Sequence, residues 1–151
     1  MFRAAPTRED KAMNCTCRMV VRHAGLPLLV FGALALANSP GARAADAAGE
    51  IATAAQHAGY AADAAAIGMA HAHLQHTINC LVGPNGSGYD ANALNPCKDM
   101  GSGAIPDTQD ASKAAALKSA VVLAQQGLKS DDLDAAKKSG AQVATEIKKA
   151  Q

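Results

Sequence analysis

The stretch from Asp46 to Leu81 constrains the fold most, because it is dense in alanine and contains no proline. Alanine has the highest helix propensity, so a long helix over about 46–81 is predicted. Gly59 weakens it, and a break near Gly59 would divide it into two helices. The larger apolar residues recur at helical spacing and predict one apolar face. They are Tyr60, Ile67, Leu74, Ile78 and Leu81.

Two further helices are predicted towards the end of the chain, over about 108–126 and 131–149. Asp107 and Ser130 precede them and are residue types favoured as N-caps. The connection between these helices is short, which favours antiparallel neighbours. We found no segment that alternates like a strand, so the sequence predicts an all-α fold. It is a three- or four-helix up-down bundle, depending on whether the first helix breaks.

The segment 82–107 is crowded with Gly, Pro, Asn and Asp, which are typical of turns. A loop of this length in a small domain needs a function or a covalent constraint. Cys80 and Cys97 flank its first part, and in an exported protein such a pair normally forms a disulfide. The bond would close a loop of roughly 16 residues and contribute about 3 kcal/mol.

The first 44 residues have the features of an export signal. An apolar run at 25–37 precedes Ala42-Arg43-Ala44, which fits the small-x-small rule for cleavage after Ala44. Residues 1–18 are either an extended basic region or untranslated. The apolar run is short for a bilayer span. We therefore expect a periplasmic or secreted mature domain, 45–151, without stable membrane insertion once the leader is cleaved.

The charge balance argues against nucleic acid as a partner. The whole chain carries +1 and its first 44 residues carry +4, so residues 45–151 carry −3. Binding to phosphate backbones needs clustered Lys and Arg. The small side chains also predict a thin core, and a homodimer would bury more surface.

The chemistry-bearing feature is HAHLQH, which contains His71, His73 and His76. On a helix, His73 and His76 are three residues apart and share a face with Met69. His71 turns towards the apolar face, and it can pair with His57 only if the helix breaks and folds back. Imidazole suits Cu, Ni and Zn. These five residues are the candidate metal ligands, and others would come from the loop or a second protomer.

Other functions remain open at this point. No G-x-S-x-G, H-E-x-x-H or C-x-x-C motif is present in the sequence, so we do not expect an enzyme. The histidines can also form an ordinary polar stripe. One alternative is a structural or interaction module that docks a partner through the 82–107 loop. Another is a non-covalent haem-binding bundle that uses His71 or His57.

The segment HAHLQHTINC, at 71–80, resembles exported His-bearing helical-bundle proteins of the small metal-binding protein type, known from ammonia-oxidising bacteria. The resemblance implies an Ala-rich bundle that binds copper and other divalent metals. The neighbouring NCLVGPNGSGYD resembles instead a family of small periplasmic helical proteins without a known activity. The function predicted from the sequence is periplasmic binding of a divalent metal ion, Cu, Ni or Zn.

Overall fold

The computed structural model describes residues 45–151, and the predicted export signal lies outside the described residues. Within this range the chain forms five helices and no strand, which confirms the all-α prediction. The helices are α1 (Ala47–Ala62), α2 (Ile67–Val82), α3 (Ala104–Asp107), α4 (Ala111–Leu128) and α5 (Leu133–Lys148). Among residues 45–151 we find no helix that is both long and apolar enough to cross a membrane.

The helix predicted over 46–81 is two helices, and the break lies at 63–66 rather than near Gly59. Gly59 is inside α1, where an added Cβ would meet nothing within 4 Å. The backbone of Asp63 caps the end of α1, and Ala66 is extended with φ −145° and ψ 150° before α2 begins. Local propensity therefore does not set the position of the break.

Packing against α5 accounts for the break. An added Cβ on Gly140 of α5 would lie 2.7 Å from the backbone nitrogen of Ala62, so the end of α1 lies directly on α5. Within the turn, Ala64 is buried in a small apolar cluster that α2 and α5 complete, whereas Asp63, Ala65 and Ala66 are exposed. The fully or nearly fully buried members are Ala64, Ala70 and Ala136. Burial of Ala64 and the contact of the α1 end with α5 help to offset the helical hydrogen bonds that a continuous helix would have kept.

The main core forms where α1 packs against α2 and α5, and α4 packs against α2 and α5. Its largest fully buried apolar side chains are Leu74, Ile78, Leu81, Leu117, Val143 and Ile147. The predicted apolar face is thus correct for its last three members. Tyr60 is an exception, with 46% of its surface exposed. Fully buried alanines such as Ala58 and Ala124 let the helices approach closely.

The N-caps of the last two long helices differ from the predicted ones. Asp107 ends the single-turn helix α3, and Asp110 caps α4 instead. Asp132, rather than Ser130, caps α5, and its carboxylate accepts a hydrogen bond from the backbone N–H of Ala135 at 2.7 Å. Asp107 belongs to the short helix α3, which the sequence did not predict, so α4 begins later than predicted, at Ala111.

The loop between α2 and α3 is fixed by a covalent bond and a buried amide. The Cys80–Cys97 disulfide is present, with the two Cα atoms 5.1 Å apart. The side chain of Asn79, which is fully buried, donates to the carbonyls of Asp90 and Leu94 at 3.0 and 3.2 Å. Its oxygen accepts from the Asp90 N–H at 3.0 Å. The predicted disulfide-stapled loop is confirmed.

The two ends of the loop, Gly83 and Gly103, lie next to each other, and Gly103 contacts the buried carboxyl group of Glu50. Gly83 and Gly103 have φ values of 65° and 113°, and their backbones are in contact. Glu50 of α1 is 1% exposed, and its Oε1 accepts a hydrogen bond from the Gly103 N–H at 3.0 Å. Burial raises the pKa of Glu50 from 4.5 to about 7; the Gly103 hydrogen bond lowers it and nearby Asp107 raises it.

Candidate metal centre

Three histidines meet where α2 returns along α1. The Thr77 hydroxyl of α2 donates to the carbonyl oxygen of Ala54 in α1 at 3.3 Å, and His73 lies against His57. These two pairs show that the helices run antiparallel. Since the chain reverses at 63–66, His57 on α1 lies opposite the His73/His76 pair on α2. Because of this reversal, the imidazole of His57 lies beside those of His73 and His76, which the sequence predicts on one face of α2.

The distances between these three side chains suit a single metal ion. Nδ1 of His57 lies 3.2 Å from Nδ1 of His73. The ring centroids of His57, His73 and His76 are 5.2–5.6 Å apart. One nitrogen of each ring can be chosen so that all three lie within 4.8 Å of one another. Metal–nitrogen bonds of about 2.0–2.1 Å in a tetrahedral site place ligand nitrogens about 3.3–3.4 Å apart.

The His57–His73 distance already has the spacing of two ligands of one ion. The remaining nitrogen pairs need a closure of at most about 1.5 Å to reach the tetrahedral spacing. Rotations of half-buried imidazole rings can supply this movement. The backbones of α1 and α2 need not move far, since both helices are held by the core.

Burial favours the neutral, metal-binding form of two imidazoles of this cluster, those of His57 and His76. Burial, together with smaller contributions from charge repulsion by His76 and His73, lowers the pKa of His57 from 6.5 to about 4. The pKa of His76 is also lowered, first by burial and then by His73. A metal ligates neutral imidazole, so protons compete little with an ion at neutral pH.

His76 has a buried nitrogen that the rest of the domain does not satisfy. Among residues 45–151, Nδ1 of His76 has no hydrogen-bond partner. A buried polar atom without a partner costs about 1–3 kcal/mol. Coordination of this nitrogen to a metal ion would remove that cost. The unsatisfied atom is therefore a second observation that points to a ligand.

Tyr60 lies beside the cluster rather than in the core. Its ring centroid is 5.5 Å from that of His57, edge-on at 80°, and 5.3 Å from that of His73. Such edge-to-face contacts are favourable and orient the rings. Tyr60 was assigned to the apolar face by its spacing, but the break after Ala62 turns it towards the histidines.

The other sequence candidates do not join this group. Nε2 of His71 lies 2.9 Å from the carbonyl oxygen of Ser130, so His71 ties α2 to the α4–α5 connection. The chain does fold back between α1 and α2, and it brings His57 to His73 and His76 rather than to His71. Met69 is 51% exposed, and its role as a ligand stays a prediction. Cys80 is in the disulfide.

A separate cavity lies between the loop and α4. Its volume is about 430 Å³, and Val82, Ile105, Pro106 and Val121 form most of its apolar wall. Of the residues at 45–151 that line it, Lys118 is the one that carries a charge. The volume lies in the range of about 300–1,000 Å³ usual for small-molecule sites. The cavity borders the 82–107 loop for which docking was considered.

Comparison with known proteins gives no further information on the function of the three histidines. No family model matches the chain, and neither the curated proteins nor the solved structures contain a significant match to it.

Proposed function

We propose that this protein binds one divalent transition-metal ion, Cu, Ni or Zn, through His57, His73 and His76. The observation that carries the proposal is the convergence of three imidazoles from two helices, with ligand nitrogens within 4.8 Å of one another. Two of the three were predicted as a pair, and the third comes from a residue 16 positions earlier. The role is metal binding rather than catalysis.

The ligand type selects the metal class. Imidazole nitrogen suits Zn, Cu and Ni, whereas Ca and Mg prefer oxygen ligands. Among residues 45–151, the group of side chains that could hold a metal ion consists of three histidines and includes no carboxylate. Copper, nickel and zinc therefore stay as the candidates. Affinity alone should rank Cu(II) highest among them, by the Irving–Williams order.

A helix-borne His pair can bind metals adventitiously, so the test must single out His57. Calorimetric titration with Cu(II), Ni(II) and Zn(II) should give one site per chain. His57→Ala should weaken it by more than about 100-fold, since loss of an outer-shell partner alone costs about 10- to 100-fold. His71→Ala is the matched control and should leave the affinity unchanged. Equal affinities for the wild type and His57→Ala would refute the proposal.

The location of the protein is part of the same proposal. The Cys80–Cys97 disulfide suits an exported protein, and the 25–37 apolar run followed by Ala42-Arg43-Ala44 supports a cleaved leader. We expect the periplasmic fraction to contain a chain that begins at Ala45. Recovery of an uncleaved chain in the cytoplasm would contradict this.

Two architectural predictions also stay proposals. The short connections at 63–66 and 129–132 favour an up-down order of the four long helices. A homodimer would bury exposed apolar side chains such as Val122 and Leu94, which are 53% and 62% exposed. Small-angle scattering and sedimentation would test both.

The cavity beside the loop favours a second candidate function, docking of a partner through residues 82–107. Its apolar wall and single lysine suit an apolar segment that carries an acidic group. A photo-crosslinking residue at position 105 should then yield a specific adduct in the native extract, and Val121→Asp should abolish it. The haem alternative has less support, because His71 and His57 both have other contacts.

A further inference from the structure

The candidate metal centre supplies three ligands, and four is the usual number for zinc. Among the His, Cys, Asp and Glu side chains of residues 45–151, only His57, His73 and His76 form such a group. A tetrahedral ion held by these residues would have one position that they do not fill. The surroundings of the cluster decide what occupies that position.

The cluster faces solvent on one side. All three histidines are partly rather than fully buried, because they lie at the outer edge of the α1–α2 contact. The inner side of the same contact is closed by fully buried residues, Ala54, Ala58 and Thr77. An ion between the imidazoles would therefore have its free position on the outer side, where water has access.

The neighbouring side chains are poorly suited to fill it. His71 is bonded to the Ser130 carbonyl oxygen, and Cys80 is in the disulfide. Tyr60 lies next to His57 and His73 through its ring, in edge-on and tilted contacts. Met69 precedes His73 by one helical turn and is half exposed. Tyr60 and Met69 are the two protein groups that an experiment must exclude.

We infer that the bound ion keeps one exchangeable coordination position on the solvent side, which takes water or a small monodentate anion. The inference rests on the proposed metal site. Three imidazoles are neutral ligands, so the ion retains its full +2 charge, and an anion is attracted to it. Closed structural sites have four protein ligands, whereas sites with three protein ligands bind exogenous ones.

Cobalt(II) is the probe for the test, because its visible absorption reports the number and type of its ligands. The protein is loaded with one equivalent of Co(II) and titrated with sodium azide. The visible spectrum should change saturably, and the cobalt should stay with the protein on gel filtration. Tyr60→Phe and Met69→Leu should give the same starting spectrum and the same azide response.

The other outcomes overturn the inference in distinct ways. An azide-insensitive spectrum with cobalt still bound means that the protein fills the fourth position. A changed starting spectrum in Tyr60→Phe or Met69→Leu, with azide binding gained there, identifies that residue as the fourth ligand. Failure of the proposed function looks different: Co(II) then gives no protein-bound spectrum, or one that His57→Ala leaves unchanged.

Discussion

Nδ1 of His57 lies 3.2 Å from Nδ1 of His73, across the contact between α1 and α2. At this distance one of the two nitrogens donates a hydrogen bond to the other. The two cannot both carry a proton, because the two N–H groups would then face each other. If both nitrogens bound a metal ion, the donated proton would sit on Nε2 of its ring instead, and His76 would be a third ligand. The ion would then hold α1 to α2 at their outer edge, in the way that a disulfide links two elements.

Metal binding should therefore stabilise the fold. An ion at about 100 times its dissociation constant adds about 2.7 kcal/mol to the free energy of unfolding. For a domain of about 100 residues, each kcal/mol raises the melting temperature by about 4–8 °C. Calorimetric scans with and without Zn(II) measure this shift. We expect it in the wild type and in His71→Ala, and we expect it to vanish in His57→Ala and His76→Ala.

Without metal, acid should weaken the fold through His57. Its pKa is about 4 in the folded protein and 6.5 without these contacts. The unfolded chain thus binds a proton that folded His57 does not, and stability falls as the pH drops from 6.5 towards 4. Urea unfolding of the metal-free protein measures the slope. His57→Asn removes this titrating group, so the stability of the wild type relative to His57→Asn should fall as the pH drops through this range. A difference that does not change with pH would contradict the prediction.

Glu50 should make the opposite contribution over nearly the same pH range, so each group must be measured against its own variant. Its pKa is about 7 in the folded protein against 4.5 ordinarily, so the folded state holds a proton that the unfolded state has lost. Stability should fall as the pH rises from 4.5 through 7, with a slope of at most about 1.4 kcal/mol per unit. Glu50→Gln keeps an acceptor for the Gly103 N–H but does not titrate. Its stability relative to the wild type should rise over this range. A constant difference would contradict the prediction.

A pair of glycine variants tests the packing that divides the first helix. Gly140→Ala should destabilise the protein by about 1–3 kcal/mol, because the new Cβ would lie 2.7 Å from the Ala62 nitrogen. Gly59→Ala, where the Cβ would enter open space, should stabilise it by about 0.5–1 kcal/mol. Chemical denaturation of both variants measures the difference. Equal effects would mean that α5 does not hold the end of α1 as described.

The sequence was sufficient to predict the elements that depend on local chemistry. Alanine density predicted helix, and the Leu74, Ile78 and Leu81 spacing predicted the buried face. The pairing of Cys80 with Cys97 followed from the expectation that the chain is exported, which leaves these two cysteines after the predicted leader. The relative position of His73 and His76 followed from the helical repeat alone.

The remaining features depend on contacts between distant parts of the chain. The segment Asp63-Ala64-Ala65-Ala66 contains no glycine or proline, so the turn depends on tertiary contacts such as the packing of the α1 end on Gly140 of α5. The third histidine depends on the same turn, since a break near Gly59 would change which residues face His73. The burial of Glu50 could not be predicted from the sequence either, because its hydrogen-bond partner Gly103 is 53 residues away.

The most direct test of the metal site is a nitrogen-15 NMR titration of the histidine rings with Zn(II). We predict that the signals of His57, His73 and His76 shift together and reach saturation at one equivalent per chain, while the His71 signals keep their position. Shifts confined to His73 and His76, or a His71 shift of the same size, would contradict it.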